Sequence, residues 1–259
     1  MSHAFRDIGQ AFSRFNLWVR MSVTDMQQTY KRSIVGIAWI AFAFGLFVAV
    51  KALIFGSFAP GEPGEYMMWL TIGLWMFYFL QQLVVDGSNV FIQSRNWLLA
   101  TDMPLTGFIL RSIIRGVIKV IYQIPVVLFI IYVSKWKIPL EALWAIFGFI
   151  VILINAVWAQ IFLGIVCTRF RDFAHLVQSI MGVMFFLTPI LYFPSQIGDR
   201  AAILNWNPFT HYIAIVRDPM IYGTHPQLSW IVVGSLTVIG WIVAIVLLHF
   251  FRKRVVFWV

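Results

Sequence analysis

Six times along this 259-residue chain the sequence runs mainly apolar, over 33–56, 67–86, 107–133, 141–167, 175–193 and 229–250. Each run approaches or exceeds the roughly 20 residues a helix needs to cross a bilayer. Backbone in hydrocarbon must satisfy its own N–H and C=O groups, so such runs fold as helices. The pattern predicts an all-α integral membrane protein with six transmembrane helices in a single transmembrane domain, 1–259. Composition agrees, with 61% of residues hydrophobic and 11% charged, whereas soluble domains carry about a quarter charged residues. Lys51 sits near the far end of the first run, where a long side chain can snorkel to the interface. The fifth run closes at Thr188-Pro189, which predicts a kinked or incomplete helix.

An even number of spans puts both termini on one side. The first thirty residues are polar and amphipathic, without the short apolar core and cleavage site of a signal peptide, which predicts a cytoplasmic N-terminus. On that topology all but five of the nineteen basic residues fall on cytoplasmic segments, Arg111, Arg115 and Lys119 among them. The exceptions are Lys51, Lys135, Lys137, Arg200 and Arg217. The positive-inside rule therefore predicts both termini in the cytoplasm and accounts for most of the net charge of +9, with no need of nucleic acid. Phe5, Ile8, Phe12, Phe15 and Val19 recur at steps of three and four, so residues 3–20 read as a helix lying in the membrane surface. Whether that helix is an anchor or a working part stays open. The stretch "GSNVFIQSRNWLLATDMP" is too polar to span and too long for a tight turn. It predicts a short helix over 88–103 that meets either a soluble partner or lipid headgroups. Between the last two runs, residues 193–229 are too apolar for a solvated loop and are broken by four prolines. Two short re-entrant helices over about 195–220 fit, since irregular backbone at membrane depth must be buried in protein or line a cavity.

Several chemistries are missing. The sequence contains no G-x-x-x-x-G-K-[ST] phosphate loop, no H-E-x-x-H, no G-x-S-x-G, and one cysteine, Cys167. Its ten acidic residues all fall in loops or at span ends. An ion-coupled transporter needs a carboxylate or histidine deep in the bilayer, so uphill transport by this chain would draw energy from another. A membrane glycosyltransferase would rest on Asp199 and Asp218 alone. Arg169, Arg171, Asp172 and His175 cluster between the fourth and fifth runs and read as a cytoplasmic elbow rather than a relay. Twenty-five Phe, twelve Trp and eight Tyr exceed what packing requires. Many belong to interfacial belts, and the remainder suit a path on which apolar faces of sugar rings can stack.

Four stretches carry a family resemblance. Before the first span stands "TDMQQTYKRSIVGIAWI", with Tyr30, Lys31, Ser33, Gly36 and Trp39, and with Gln27 or Gln28 where a basic residue is commoner. The elbow reads Arg169, Phe170, Arg171, Asp172, and the fifth run ends in Thr188, Pro189, Ile190 and Tyr192. Asn207, Pro208 and Arg217 follow. In this order the chain resembles the membrane-spanning permease subunit of ABC-type polysaccharide exporters, which move O-antigen, capsule or teichoic acid. The resemblance implies two copies of this chain in a bacterial inner membrane and two separate ATPase subunits, which hold the ATP and Mg; this chain carries no cofactor. It implies that 3–20 is an interface helix and 88–103 a coupling helix, with Phe91, Arg95, Trp97 and Asp102 toward the ATPase. The substrate would be an undecaprenyl-pyrophosphate-linked glycan whose headgroup meets Arg20, Lys31, Arg32, Arg169 and Arg171, although topology alone explains any one of these equally well. Trp39, Phe42, Phe47, Tyr66, Trp69, Phe185, Phe186, Tyr192 and Phe193 would line its channel. A permease for drugs or lipids, or a polyprenol-dependent glycosyltransferase, remains an alternative.

Overall fold

The computed structural model describes residues 2–56 and 62–259, and among these every regular element is a helix. In chain order they are α1 (Ser2–Ser13), α2 (Phe15–Tyr30), α3 (Trp39–Phe55), α4 (Pro63–Gln93), α5 (Arg95–Ala100), α6 (Leu105–Ser134), α7 (Trp144–Arg169), α8 (Asp172–Leu187), α9 (Pro208–Tyr222) and α10 (Gln227–Trp258). Short 3-10 turns precede α3 and α7 and fill residues 194–206. Among the described residues five helices are long and apolar enough to cross a membrane: Gly36–Phe55, α4, α6, Leu140–Arg169 and α10. The fifth apolar run of the sequence yields α8, whose 16 residues reach about 24 Å at 1.5 Å per residue, short of a hydrocarbon core of about 30 Å. It stops at Leu187, ahead of Pro189, and residues 188–193 are irregular.

Other boundaries also move. The surface helix expected over 3–20 breaks at Arg14 into α1 and α2, and α2 runs on to Tyr30. The segment expected as a helix over 88–103 gives its first six residues to α4, bends at Ser94 and leaves only α5 as a separate helix.

α4 is the centre of the bundle, packed against α6, α7, α8 and α9. Helices in lipid gain little from hydrophobic exclusion, so close packing over small residues carries their association. Here Trp18 lies against Gly107 and Trp158 against Gly240, each so tightly that a Cβ would overlap the indole ring.

A second device straps the N-terminal helices to the bundle. Pro104 at the N-cap of α6 offers no side-chain acceptor, and the first amides of a helix need one. Asp7 of α1 supplies it from a distance. Its Oδ1 accepts from Leu105 N at 2.9 Å, and its Oδ2 accepts from Thr106 N at 3.3 Å. Arg252 of α10 places Nε 3.3 Å from the same carboxylate. Burial raises the Asp7 carboxyl above the usual carboxylate range, against the opposing pull of Arg252 and the two amides. Further along, Trp18 Nε1 donates to the Ala11 carbonyl at 3.0 Å, and Ser22 Oγ donates to the Arg111 carbonyl at 2.9 Å. Asp25 accepts a bidentate pair from Arg111 at 2.5 and 2.7 Å. Ala4, Asp7 and Ala11 thus face the protein, while Phe5, Phe12 and Phe15 point outward.

Asp7→Ala is expected to lower unfolding stability in detergent by about 1–2 kcal/mol, the loss of a cap plus an uncovered Arg252. Asp7→Asn keeps one amide acceptor and is expected to lose about half as much. Denaturant titration followed by tryptophan fluorescence measures both, and an unchanged Asp7→Ala midpoint would remove the strap.

Candidate translocation site

The break after α8 organises one end of the bundle. Pro189 has no N–H, and the irregular 188–193 segment leaves carbonyls that no helix claims. Three side chains from other elements take them up. Arg217 Nη1 of α9 donates to the Pro189 carbonyl at 2.8 Å, the Tyr66 hydroxyl of α4 to Leu191 at 3.0 Å, and Trp69 Nε1 of α4 to Tyr192 at 3.2 Å. Arg217 is only 3% exposed. Its guanidinium lies 3.2 Å from the Trp69 ring centroid, and its Nε is 3.4 Å from Asp218 Oδ1. A desolvated cation over an indole contributes about 2 kcal/mol or more. Trp69 also packs on Phe193 at 4.8 Å, and the Tyr222 hydroxyl donates to Glu65 at 2.7 Å.

Asn207 locks the start of α9. Its Oδ1 accepts from Phe209 N at 3.0 Å while its amide donates to Thr188 Oγ1 at 2.9 Å, and Pro208 fills the first helical position, where no amide bond is lost. The Thr188-Pro189 and Asn207-Pro208…Arg217 motifs, separate in sequence, are therefore one hydrogen-bonded plug against α4.

The predicted channel aromatics divide into two groups. Tyr66, Trp69 and Phe193 are 2%, 4% and 8% exposed and belong to the plug. Trp39, Phe42, Phe47 and Phe186 are all at least half exposed. Phe185 and Tyr192 are half-buried between these groups. Phe47 of α3 meets Tyr78 of α4 at 6.1 Å, Phe185 of α8 meets Phe77 at 5.4 Å, and Lys51 Nζ lies 4.4 Å from the Phe185 centroid. Thus α3 and α8 both pack aromatics on α4 and touch through Lys51 and Phe185, while Trp39, Phe42, Phe47 and Phe186 stay exposed on the two helices.

At the other end, Arg20, Lys31, Arg32, Arg169 and Arg171 are exposed. Arg169 stacks over Phe170 at 5.6 Å and Trp258 at 5.5 Å, which ties the elbow to the end of α10. Lys31 and Arg32 lie just past the end of α2, whereas Arg169 ends α7 and Arg171 precedes α8. Of the expected coupling residues, Arg95, Trp97 and Asp102 are exposed. Phe91 is fully buried with its ring against Gly164, so it holds the helix rather than presenting it. A groove of about 780 Å³ runs beside Asp102, lined also by Arg6, Arg252, Lys253 and Phe257.

Asn155, a buried junction of three helices, belongs to none of the sequence motifs. Its Oδ1 accepts from Trp158 Nε1 at 2.7 Å and from the Tyr212 hydroxyl at 2.9 Å, and its Nδ2 reaches Thr237 at 2.8 Å. The signal for it in the sequence is a lone asparagine inside the apolar fourth run, because a polar group in hydrocarbon needs partners.

Removing the plug's cation should be severe: Arg217→Ala is expected to lose about 2–3 kcal/mol, having left a carbonyl and an indole face uncovered. Trp69→Phe, which keeps a ring but no donor, is expected to lose about 1 kcal/mol. Thermal unfolding in detergent orders the two, and an Arg217→Ala protein as stable as the parent would show that the break is held by something else.

The family model described as ABC-2 type transporter matches residues 17–221. The O-antigen export system permease protein RfbA of Klebsiella pneumoniae is 25% identical over 244 residues, covering 92% of both chains. A protein of the same description from Myxococcus xanthus is 21% identical over 236 residues, covering 86% of this chain and 89% of its own. Since the family model covers well over half of a chain built of membrane-length helices, this chain belongs to the ABC-2 type transporter membrane family.

Proposed function

We propose that this chain is the permease subunit of an ATP-driven exporter that moves an undecaprenyl-pyrophosphate-linked, O-antigen-like polysaccharide from cytoplasm to periplasm. Family membership supports a transporter subunit, and relatives aligned over almost the whole chain are named as O-antigen export permeases. The observation that carries the substrate class is the set of exposed aromatics on the adjoining helices α3 and α8. Exposed Trp39, Phe42, Phe47 and Phe186 offer stacking surfaces that tolerate many sugars without fixing one by hydrogen bonds.

In this reading two copies face each other across these aromatics and enclose the path. The short α8 with its irregular extension is the sixth span, and the 194–206 turn with α9 forms the re-entrant element. Both termini lie in the cytoplasm of a bacterium, and the bundle sits in its inner membrane. The plug of Arg217, Trp69 and Tyr66 then closes the periplasmic end. Two ATPase subunits supply the energy and dock on the exposed Arg95, Trp97 and Asp102 and on the groove beside them. The headgroup arrives past the exposed arginines of α2 and the elbow.

Co-expression with an ATPase subunit encoded beside this chain is expected to give a complex whose ATP hydrolysis depends on the permease; no complex and no change in hydrolysis would sink the exporter reading. Alanine at Trp39, Phe42, Phe47 and Phe186 together is expected to cut polysaccharide export by an order of magnitude or more, from about 0.5–1.5 kcal/mol per ring contact. The protein should still insert and bind the ATPase. Undiminished export in that variant would leave no aromatic path and favour a permease for lipids or drugs.

A further inference from the structure

Three cations climb one face of α6. Arg111, Arg115 and Lys119 are spaced by four residues, so they stand one above another with a rise of about 6 Å per step. The lowest is neutralised by the bidentate bond from Arg111 to Asp25. Arg115 Nη1 comes only to 4.0 Å from Oδ2 of that carboxylate, which already accepts from Arg111 Nε, and the buried Nε of Arg115 has no hydrogen-bond partner among the described residues. Lys119 forms no ion pair among the described residues; it feels the carboxylate of Asp86 on α4, which already accepts from Gln82 Nε2 at 3.2 Å. Three cations therefore share two carboxylates, and the upper two are incompletely paired.

Their position makes the imbalance costly. Lys119 stands midway along the 30-residue α6, about 21 Å from its first residue and so within the hydrocarbon on the topology proposed above. Cations at that depth persist where they have a function or a partner. The facing surface of α4 carries Tyr78, Gln82 and Asp86, again spaced by four. Tyr78 in turn meets Phe47 of α3 at 6.1 Å. The polar stripe thus begins near the start of α6 and leads toward the exposed aromatics of α3. By contrast, the exposed Arg20, Lys31, Arg32, Arg169 and Arg171 stand in water, where salt and a high dielectric weaken their hold on an anion.

We propose that Arg115 and Lys119, beside the neutralised Arg111, hold the phosphate of a lipid entering from the inner leaflet. The guanidinium fork and the ammonium point charge are the two usual phosphate binders. The identity of that lipid as a polyprenyl pyrophosphate rests on the exporter reading, and the site itself does not.

Native mass spectrometry of the full chain in a phosphate-free maltoside detergent tests the proposal with undecaprenyl pyrophosphate, undecaprenol and phosphatidylglycerol. The parent is expected to bind undecaprenyl pyrophosphate at least about tenfold more tightly than undecaprenol, the gain from one or two charge-assisted hydrogen bonds. Arg115→Gln and Lys119→Gln should each remove most of that preference and leave undecaprenol binding unchanged, while Lys119→Arg should restore it. A preference that survives both glutamine variants overturns the site. Phosphatidylglycerol bound as tightly as the pyrophosphate, and lost in the same variants, keeps the phosphate site and overturns the polyprenyl substrate. Should Arg115→Gln fail to elute as a single species, the Lys119→Gln and Lys119→Arg pair decides alone.

Discussion

A backbone carbonyl stranded in an apolar medium without a donor costs several kcal/mol, and the break at Pro189 exposes a run of them beside α4. Arg217, Tyr66 and Trp69 answer that demand with three donations to Pro189, Leu191 and Tyr192. Much of that end of the bundle follows from it. Trp69 must stand against the broken segment, so Arg217 can stack on its face, and Phe193 closes its other contacts. Asn207 must both cap α9 and reach Thr188, which fixes where α9 begins. The buried cation is tolerated because a carbonyl, an indole face and Asp218 surround it together; with any one of them missing it would be an uncompensated charge.

The opposite end of the bundle is built on the complementary problem, a helix that begins without a cap. Asp7 closes the start of α6 and binds Arg252, so α1, α6 and α10 share one carboxylate. With Asp25 on Arg111 and Trp18 over Gly107, the N-terminal helices are attached through polar and close-packed contacts on one side. Their phenylalanines stay free on the other side, where a membrane surface can take them.

How much of this the sequence discloses depends on the range of the interaction. The apolar runs disclose the helices because hydrogen bonding within a helix is local and the bilayer fixes its length. The incomplete fifth span is legible from Pro189 for the same reason, and α8 does end at Leu187. In sequence Asp7 is one polar residue on a surface helix, because its partners are 98 and 99 residues away. Tyr66 and Trp69 are legible as aromatic but not as buried donors, since their acceptors are carbonyls of a segment more than 120 residues on. Phe91 and Trp97 are close in the chain, yet a bend at Ser94 separates them, leaving one packed on Gly164 and the other exposed. The spacing by four of Arg111, Arg115 and Lys119 is visible in the sequence, but the positive-inside count alone accounts for three cations there. Only the short supply of carboxylates around them, a matter of tertiary packing, sets them apart from the other basic residues.

α4 connects these parts. Its first turns carry two of the three plug donors, its later turns carry Tyr78, Gln82 and Asp86 toward the α6 cations, and its last turn bends at Ser94 into α5, which buried Leu98 anchors. This 31-residue helix, continuous from Pro63 to Gln93, is the one element that joins the plug donors to α5. A displacement of α5 that turned or slid this helix would have to break the Tyr66 and Trp69 donations or carry residues 188–193 along with it. In either case the Arg217–Trp69 stack is strained at the same moment, because Arg217 is anchored on α9 and Trp69 on α4. Because unsatisfied carbonyls are costly in a membrane, losing one of these donations would favour losing the others or finding new partners for all three. On the exporter reading, a push on α5 would reach the Tyr66 and Trp69 donations through this one helix.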